Sequence, residues 1–199
     1  MNRSGQPCIL GLQGVGMRLL VLAVLMSGYG SGAFAASAYK KSLTPAASFK
    51  HAGTAKKNAY LSDGVFVGGK ARNGSSLLAV RKAFSAKAQL ERVIVDLGDK
   101  EAKPSGKEIS FFQVSLDSSK SRIVLDLAQL KLSKVSETQL KRIFAKSQYI
   151  KSVELTLDPE DKAATMVLNL NRPVRLEVFQ LLTSGKPSRV VMDLTPRKG

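Results

Sequence analysis

The sequence predicts an all-β protein, a β-sandwich of two four-stranded sheets built from an internal duplication, with one short connecting helix. Three observations carry this. Between residues 77 and 196, apolar and polar residues alternate with period 2 in stretches rich in β-branched side chains, the pattern of half-buried strands. Related phrases recur: Ser121–Leu127 reads SRIVLDL and Ser188–Leu194 reads SRVVMDL, beside ERVIVDL at Glu91–Leu97 and ATMVLNL at Ala164–Leu170. Only the segment 136–147 carries a helical stripe.

The elements follow in chain order. Residues 1–35 read as a secretory signal peptide. Arg18 precedes an apolar run from Leu19 to Met26, Ser and Gly follow, and Ala33-Phe34-Ala35 forms a small-residue cleavage site before Ala36. A membrane anchor is the alternative, but spanning takes about 20 apolar residues and this run is shorter. Met17 is a second candidate start. The expected destination after cleavage is the periplasm or cell envelope. Cys8 is the only cysteine and falls in the segment removed, so the mature chain folds without disulfides.

Residues 36–76 are rich in Ala, Ser, Gly and Lys and show no period, which predicts a basic flexible arm. Within it, GVFVG at Gly64–Gly68 can form a short strand. The whole chain carries a net charge of +16 and a pI of about 10.1. Losing Arg3 and Arg18 with the signal gives 16 − 2 = +14. Such a balance points to anionic partners: nucleic acid, acidic lipid or an acidic wall polymer. In the arm, Lys40, Lys41, Lys50, Lys56, Lys57, Lys70 and Arg72 could meet anionic lipid headgroups at about 1 kcal/mol each. A solvated tether is the other reading.

Eight strands are predicted, four to each half. The first half (77–127) has them at 77–84, 92–97, 110–116 and 122–127; the second (150–194) at 150–157, 165–170, 175–182 and 189–194. The copies are offset by 73 residues in their first part and 67 in their second. The difference falls in one loop, long as GDKEAKPSGKE and short as NRPV, where insertions are tolerated. Phe112-Gln113 and Phe179-Gln180 occupy matching positions at the second offset. Val93, Val95, Leu97, Ile123, Leu125, Leu127, Val190, Met192 and Leu194 line the inner faces; Arg92, Asp96, Arg122, Asp126, Arg189 and Asp193 point outward. The helix opens with Ser136 and Gln139 in capping-box spacing, and Leu140, Ile143 and Phe144 form its core-facing stripe. It is expected to plug an open end between the sheets.

Catalytic machinery is not visible. His51 is the single histidine, and no H-E-x-x-H, G-x-S-x-G, Walker loop or dinucleotide fingerprint occurs. The prediction is a non-enzymatic protein without metal or cofactor. The binding candidates are Arg92, Arg122 and Arg189, placed together on the outer face, with Arg81 and Lys82, and Lys151 and Arg175, on neighbouring strands. The planar guanidinium suits carboxylates and phosphates. A second reading stays open: each Arg satisfies a cross-strand Asp and fixes register. The mature chain lacks Trp and keeps only Tyr39, Tyr60 and Tyr149 as tyrosines, so charge contact is favoured over sugar stacking. Nucleic acid fits the charge but conflicts with the export signal and finds no aromatic platform.

The repeated R-V/I-V-x-D-L strands, each spaced from an F-Q strand, together with the export signal, resemble the AMIN domain over about Leu77 to Pro196. That family is a duplicated β-sandwich of bacterial envelope proteins, found in some N-acetylmuramoyl-L-alanine amidases and type IV pilus secretins. The resemblance implies an envelope-binding module with peptidoglycan as partner. No amidase or secretin module follows in this sequence, so the domain is expected to stand almost alone. The alternative is an accessory subunit that binds an envelope protein, through sheet edges or the arm, in a secretin or pilus machine.

Overall fold

In the computed structural model, residues 48–71 and 74–197 are described. The predicted signal segment 1–35, residues 36–47 of the predicted arm with Lys40 and Lys41, and Arg72 lie outside the described residues. The described residues are mostly β with one helix. The order is β1 (Ser48–His51), β2 (Gly64–Gly68), β3 (Ser75–Ser85), β4 (Leu90–Gly98), β5 (Phe112–Asp117), β6 (Arg122–Leu127), β7 (Leu130–Ser133), α1 (Glu137–Phe144), β8 (Ile150–Asp158), β9 (Ala163–Leu170), β10 (Val174–Leu181) and β11 (Ser188–Pro196). One mixed sheet has six strands in the order β1-β2-β5-β6-β9-β8, and the other has five, β10-β11-β4-β3-β7. The expectation of two four-stranded sheets is corrected: all eight predicted strands are present, and β1, β2 and β7 extend the sheets at their edges.

The two sheets share one core. Val93, Val95, Ile123, Leu125, Val190, Met192 and Leu194 are all completely or nearly completely removed from solvent, as the alternation requires. α1 opens as predicted: the Ser136 hydroxyl accepts from Gln139 N at 3.3 Å, and the Gln139 amide oxygen accepts from Ser136 N at 2.8 Å. It buries Leu140 and Phe144 against β8 and β3. It ends at Phe144 rather than 147 because the next residues are taken elsewhere: Glu91 accepts from the Ser147 hydroxyl (2.6 Å), Gln148 N (2.9 Å) and Tyr149 N (3.1 Å).

Strand pairing links the halves by one rule. β3–β4 and β5–β6 are the hairpins of the first half, β8–β9 and β10–β11 those of the second, and each sheet joins the first hairpin of one half to the second hairpin of the other. β4 meets β11 with Arg92 opposite Asp193 and Asp96 opposite Arg189. β9 meets β6 with Thr165 opposite Asp126 and Asn169 opposite Arg122. These positions correspond at the offsets 73 and 67. Even the irregularities match: β3 slips register between Leu77 and Ala79, and β8 between Ile150 and Ser152, 73 residues later.

One part of the repeat alignment is corrected. Asp117 pairs with Arg122, but Leu181 pairs with Arg189, so the second turn is three residues longer. Phe112 therefore corresponds to Leu176, each facing the inner leucine of its partner strand (Leu127 and Leu194). Phe112-Gln113 and Phe179-Gln180 are not equivalent: Phe112 points into the core and Phe179 out of it.

The arm is also corrected. Of its residues, 48–71 are folded onto the two-sheet body. β2 pairs antiparallel with β5, and β1 parallel with β2. Phe66 is 2% exposed. Gly64, with φ +135°, allows β1 to lie close; a Cβ there would sit 2.2 Å from Ser48 O. The segment then crosses to the other sheet, where Gly53 bridges Phe179 and Leu61 bridges Leu176 on the edge of β10. Edge pairing and burial of Phe66 and Leu61 hold a segment whose composition alone suggests disorder.

Candidate functional site

The predicted site residues separate into three places. Arg81, Arg92 and Arg189 lie together on the outer face of the five-stranded sheet, because antiparallel pairing of β3, β4 and β11 sets them on one side. Arg122 lies on the outer face of the other sheet, which corrects the expectation that it shares a face with Arg92 and Arg189. Lys82 has inner-face parity and sits at one end of the body, where its ammonium donates to Lys146 O at 2.8 Å and approaches Glu91 to 3.9 Å.

The three arginines on the five-stranded sheet are engaged by carboxylates. Arg92 donates Nε and Nη2 to the two oxygens of Asp193 at 2.7 and 2.8 Å, and Lys56 adds a third contact at 2.8 Å. Arg81 grips Asp96 in the same forked way at 2.8 and 2.9 Å. Arg189 Nε stands 3.3 Å from Asp96 without hydrogen-bond alignment. Burial pushes the Asp193 carboxyl up, and the hydrogen bonds from Arg92 and Lys56 more than offset it, holding it below its ordinary range.

Residues 52–61 form a strap over this face. Lys57 N and Ala59 N both donate to Glu177 Oε1, at 2.7 and 3.0 Å. Tyr60 lies between the Lys56 and Arg175 cations, 5.8 and 5.6 Å from its ring centre. Beneath lie Phe179, Val191, Glu177 and Asp193, all buried, with Arg92 5.5 Å from the Phe179 ring. Here the arginines pair across strands with Asp96 and Asp193, and Asp193 also ties down Lys56 of the strap.

The outer face of the six-stranded sheet keeps Arg122, Val124 and Asp126 where the other has Arg189, Val191 and Asp193, and differs in their partners. Thr165 replaces Arg92 and donates to Asp126 at 2.7 Å. Asn169 replaces Asp96 and donates to Ser152 and Glu154 at 3.0 and 3.1 Å. Gln113 stands where Glu177 stands. Ser115, Val124 and Val167 run across its middle, half-buried, and no described segment lies over them as the strap lies over Phe179 and Val191. Arg122 reaches only Asp117, at 4.0 Å, and its Nε makes no hydrogen bond.

Sequence reasoning missed Glu177 and Glu91, and it offered Lys56 as a lipid contact of the arm without its pairing to Asp193. Glu91 carried a readable signal: it shares parity with Val93, Val95 and Leu97, so an acid there had to be buried and satisfied. Lys56 carried none. Among the described residues, no group of three or more His, Cys, Asp or Glu could hold a metal ion, and no helix is long and apolar enough to cross a membrane. No protein-family model and no curated protein matches the chain.

Proposed function

We propose that this chain is an exported, non-enzymatic envelope-binding module, a duplicated sandwich of the AMIN kind whose leading partner is peptidoglycan or another anionic envelope polymer. One observation carries the reading. The described residues hold 25 Lys and Arg against 15 Asp and Glu, and four of those acids, Asp193, Asp96, Glu177 and Glu91, are buried, which leaves the cations in still greater excess at the surface. The remaining surface is cationic and suits carboxylate-bearing polymers. The face open to such a partner is that of the six-stranded sheet, where Arg122 has no carboxylate within hydrogen-bonding distance.

The second reading, an accessory subunit bound to protein, draws support from β8. Among the described residues this edge strand pairs only with β9, and Leu157 near its end is 47% exposed. Co-sedimentation of Ala36–Gly199 with purified sacculi separates the two. Retention at moderate salt, reduced by Arg122→Glu, is the expected result. No retention at either low or moderate salt overturns the wall reading and directs attention to a protein partner.

A further inference from the structure

At the end of the body where β5 turns into β6 and β9 into β10, a cavity of about 150 Å³ opens. Leu116, Leu170 and Val174, all buried, make its apolar floor, and the exposed Pro173 joins Ser118, Ser119, Ser121 and Arg197 at its rim. The loops around it are tied down. Leu170 N donates to Ser121 O at 2.8 Å, Ser118 N to Asp63 Oδ1 at 2.9 Å, and Arg197 N to Pro173 O at 3.2 Å. Ser121 holds a left-handed conformation, φ 48°.

The polar groups divide into those already used and those available. Ser119 gives its hydroxyl to Asp117 at 2.6 Å, and Asp117 also faces Lys120 at 3.5 Å and Arg122 at 4.0 Å. That acid is neutralised by its neighbours. The hydroxyls of Ser118 and Ser121 and the guanidinium of Arg197 make no hydrogen bond among the described residues.

Size and chemistry define what fits. A cavity near 150 Å³ accommodates a group of roughly benzene size, well below the ~300 Å³ at which drug-sized sites begin. An apolar floor beneath two hydroxyls and a guanidinium matches a carboxylate that carries a small apolar side chain. We propose that this cavity binds the terminal carboxylate of a peptide ending in alanine or a residue of similar size. The inference rests on the envelope reading for the source of that peptide, a wall stem peptide rather than a protein C-terminus.

The test is an NMR titration of Ala36–Gly199 with acetyl-D-alanyl-D-alanine, its C-terminal amide and the L,L isomer. Saturable amide shifts confined to Ser118–Ser121, Asn171–Val174 and Arg197 are expected with the acid. The amide form and Arg197→Gln should each bind about tenfold more weakly or worse, as loss of a charge-assisted contact requires. Arg197→Lys should recover part of the affinity, and unchanged thermal melting shows that the variants fold. Preference for the D,D form assigns the wall as source; preference for the L,L form assigns a protein terminus. Absence of saturable shifts at these residues, or equal binding of acid and amide, overturns the proposal. Sacculus retention of Arg197→Gln reports separately: its persistence leaves the wall reading standing even where the cavity fails.

Discussion

Asp193 shows how far one side chain reaches in this molecule. Its carboxylate has no solvent exposure and joins β4, β11 and the strap through Arg92 and Lys56. Removing it leaves two cations without their partner, but both are about one-third exposed, so water recovers part of the loss. Asp193→Ala is expected to cost about 3 kcal/mol, the lower end for breaking a buried pair, read as a lower urea midpoint. Arg81→Ala should cost much less, because the Arg81 side chain is 52% exposed. The pH dependence has a fixed sign. A carboxylate held below its unfolded value, about 3.9 for Asp, stabilises the fold fully above that value. Its contribution disappears as pH falls through the lower folded value. Asp193→Asn should therefore flatten the acid limb of the stability curve below about pH 4. Glu91 gives a second residue-scale expectation. Glu91→Ala strands three donors at the start of β8 and should destabilise by about 2–3 kcal/mol, with hydrogen exchange accelerating at Gln148 and Tyr149.

Among the elements, the strap and β2 make the arm a working part of the body. A chain beginning at Ser76 loses the edge pairing of β5 and the burial of Phe66 and Leu61, each buried apolar side chain contributing about 1.5–3 kcal/mol. Such a truncation should be less stable by several kcal/mol and should bind a hydrophobic dye. The eight long strands and the helix were readable from sequence because each carries several turns of its own period. β1, β2 and β7 were not, or only barely: four or five residues hold too little alternation. The strap was unreadable for another reason. Its order comes from acceptors about 120 positions away, as in Lys57 N to Glu177, and nothing local announces them. The candidate site was half readable. Parity placed Arg92 and Arg189 with their Asp partners, but not the exchange of hairpins that sends Arg122 to the other sheet. The F-Q phrase misled because identical letters at identical spacing concealed a turn three residues longer.

For the whole molecule, exchange of hairpins means that neither half owns a sheet. Most contacts that define the core join residues far apart in sequence, so folding should be slow for a domain of this size. A cut between Val135 and Ser136 should give two fragments that are each unfolded alone and regain the native circular dichroism spectrum when mixed. Independent folding of either fragment would contradict the shared-sheet arrangement. The strap adds a different consequence. The pairing rule makes the two outer faces counterparts, yet one is roofed by residues 52–61 and, among the described residues, the other has no such cover. A molecule approaching the strapped face must first displace residues 52–61 and strip Glu177 of two backbone donors, so the two faces of one duplicated body differ in the cost of access.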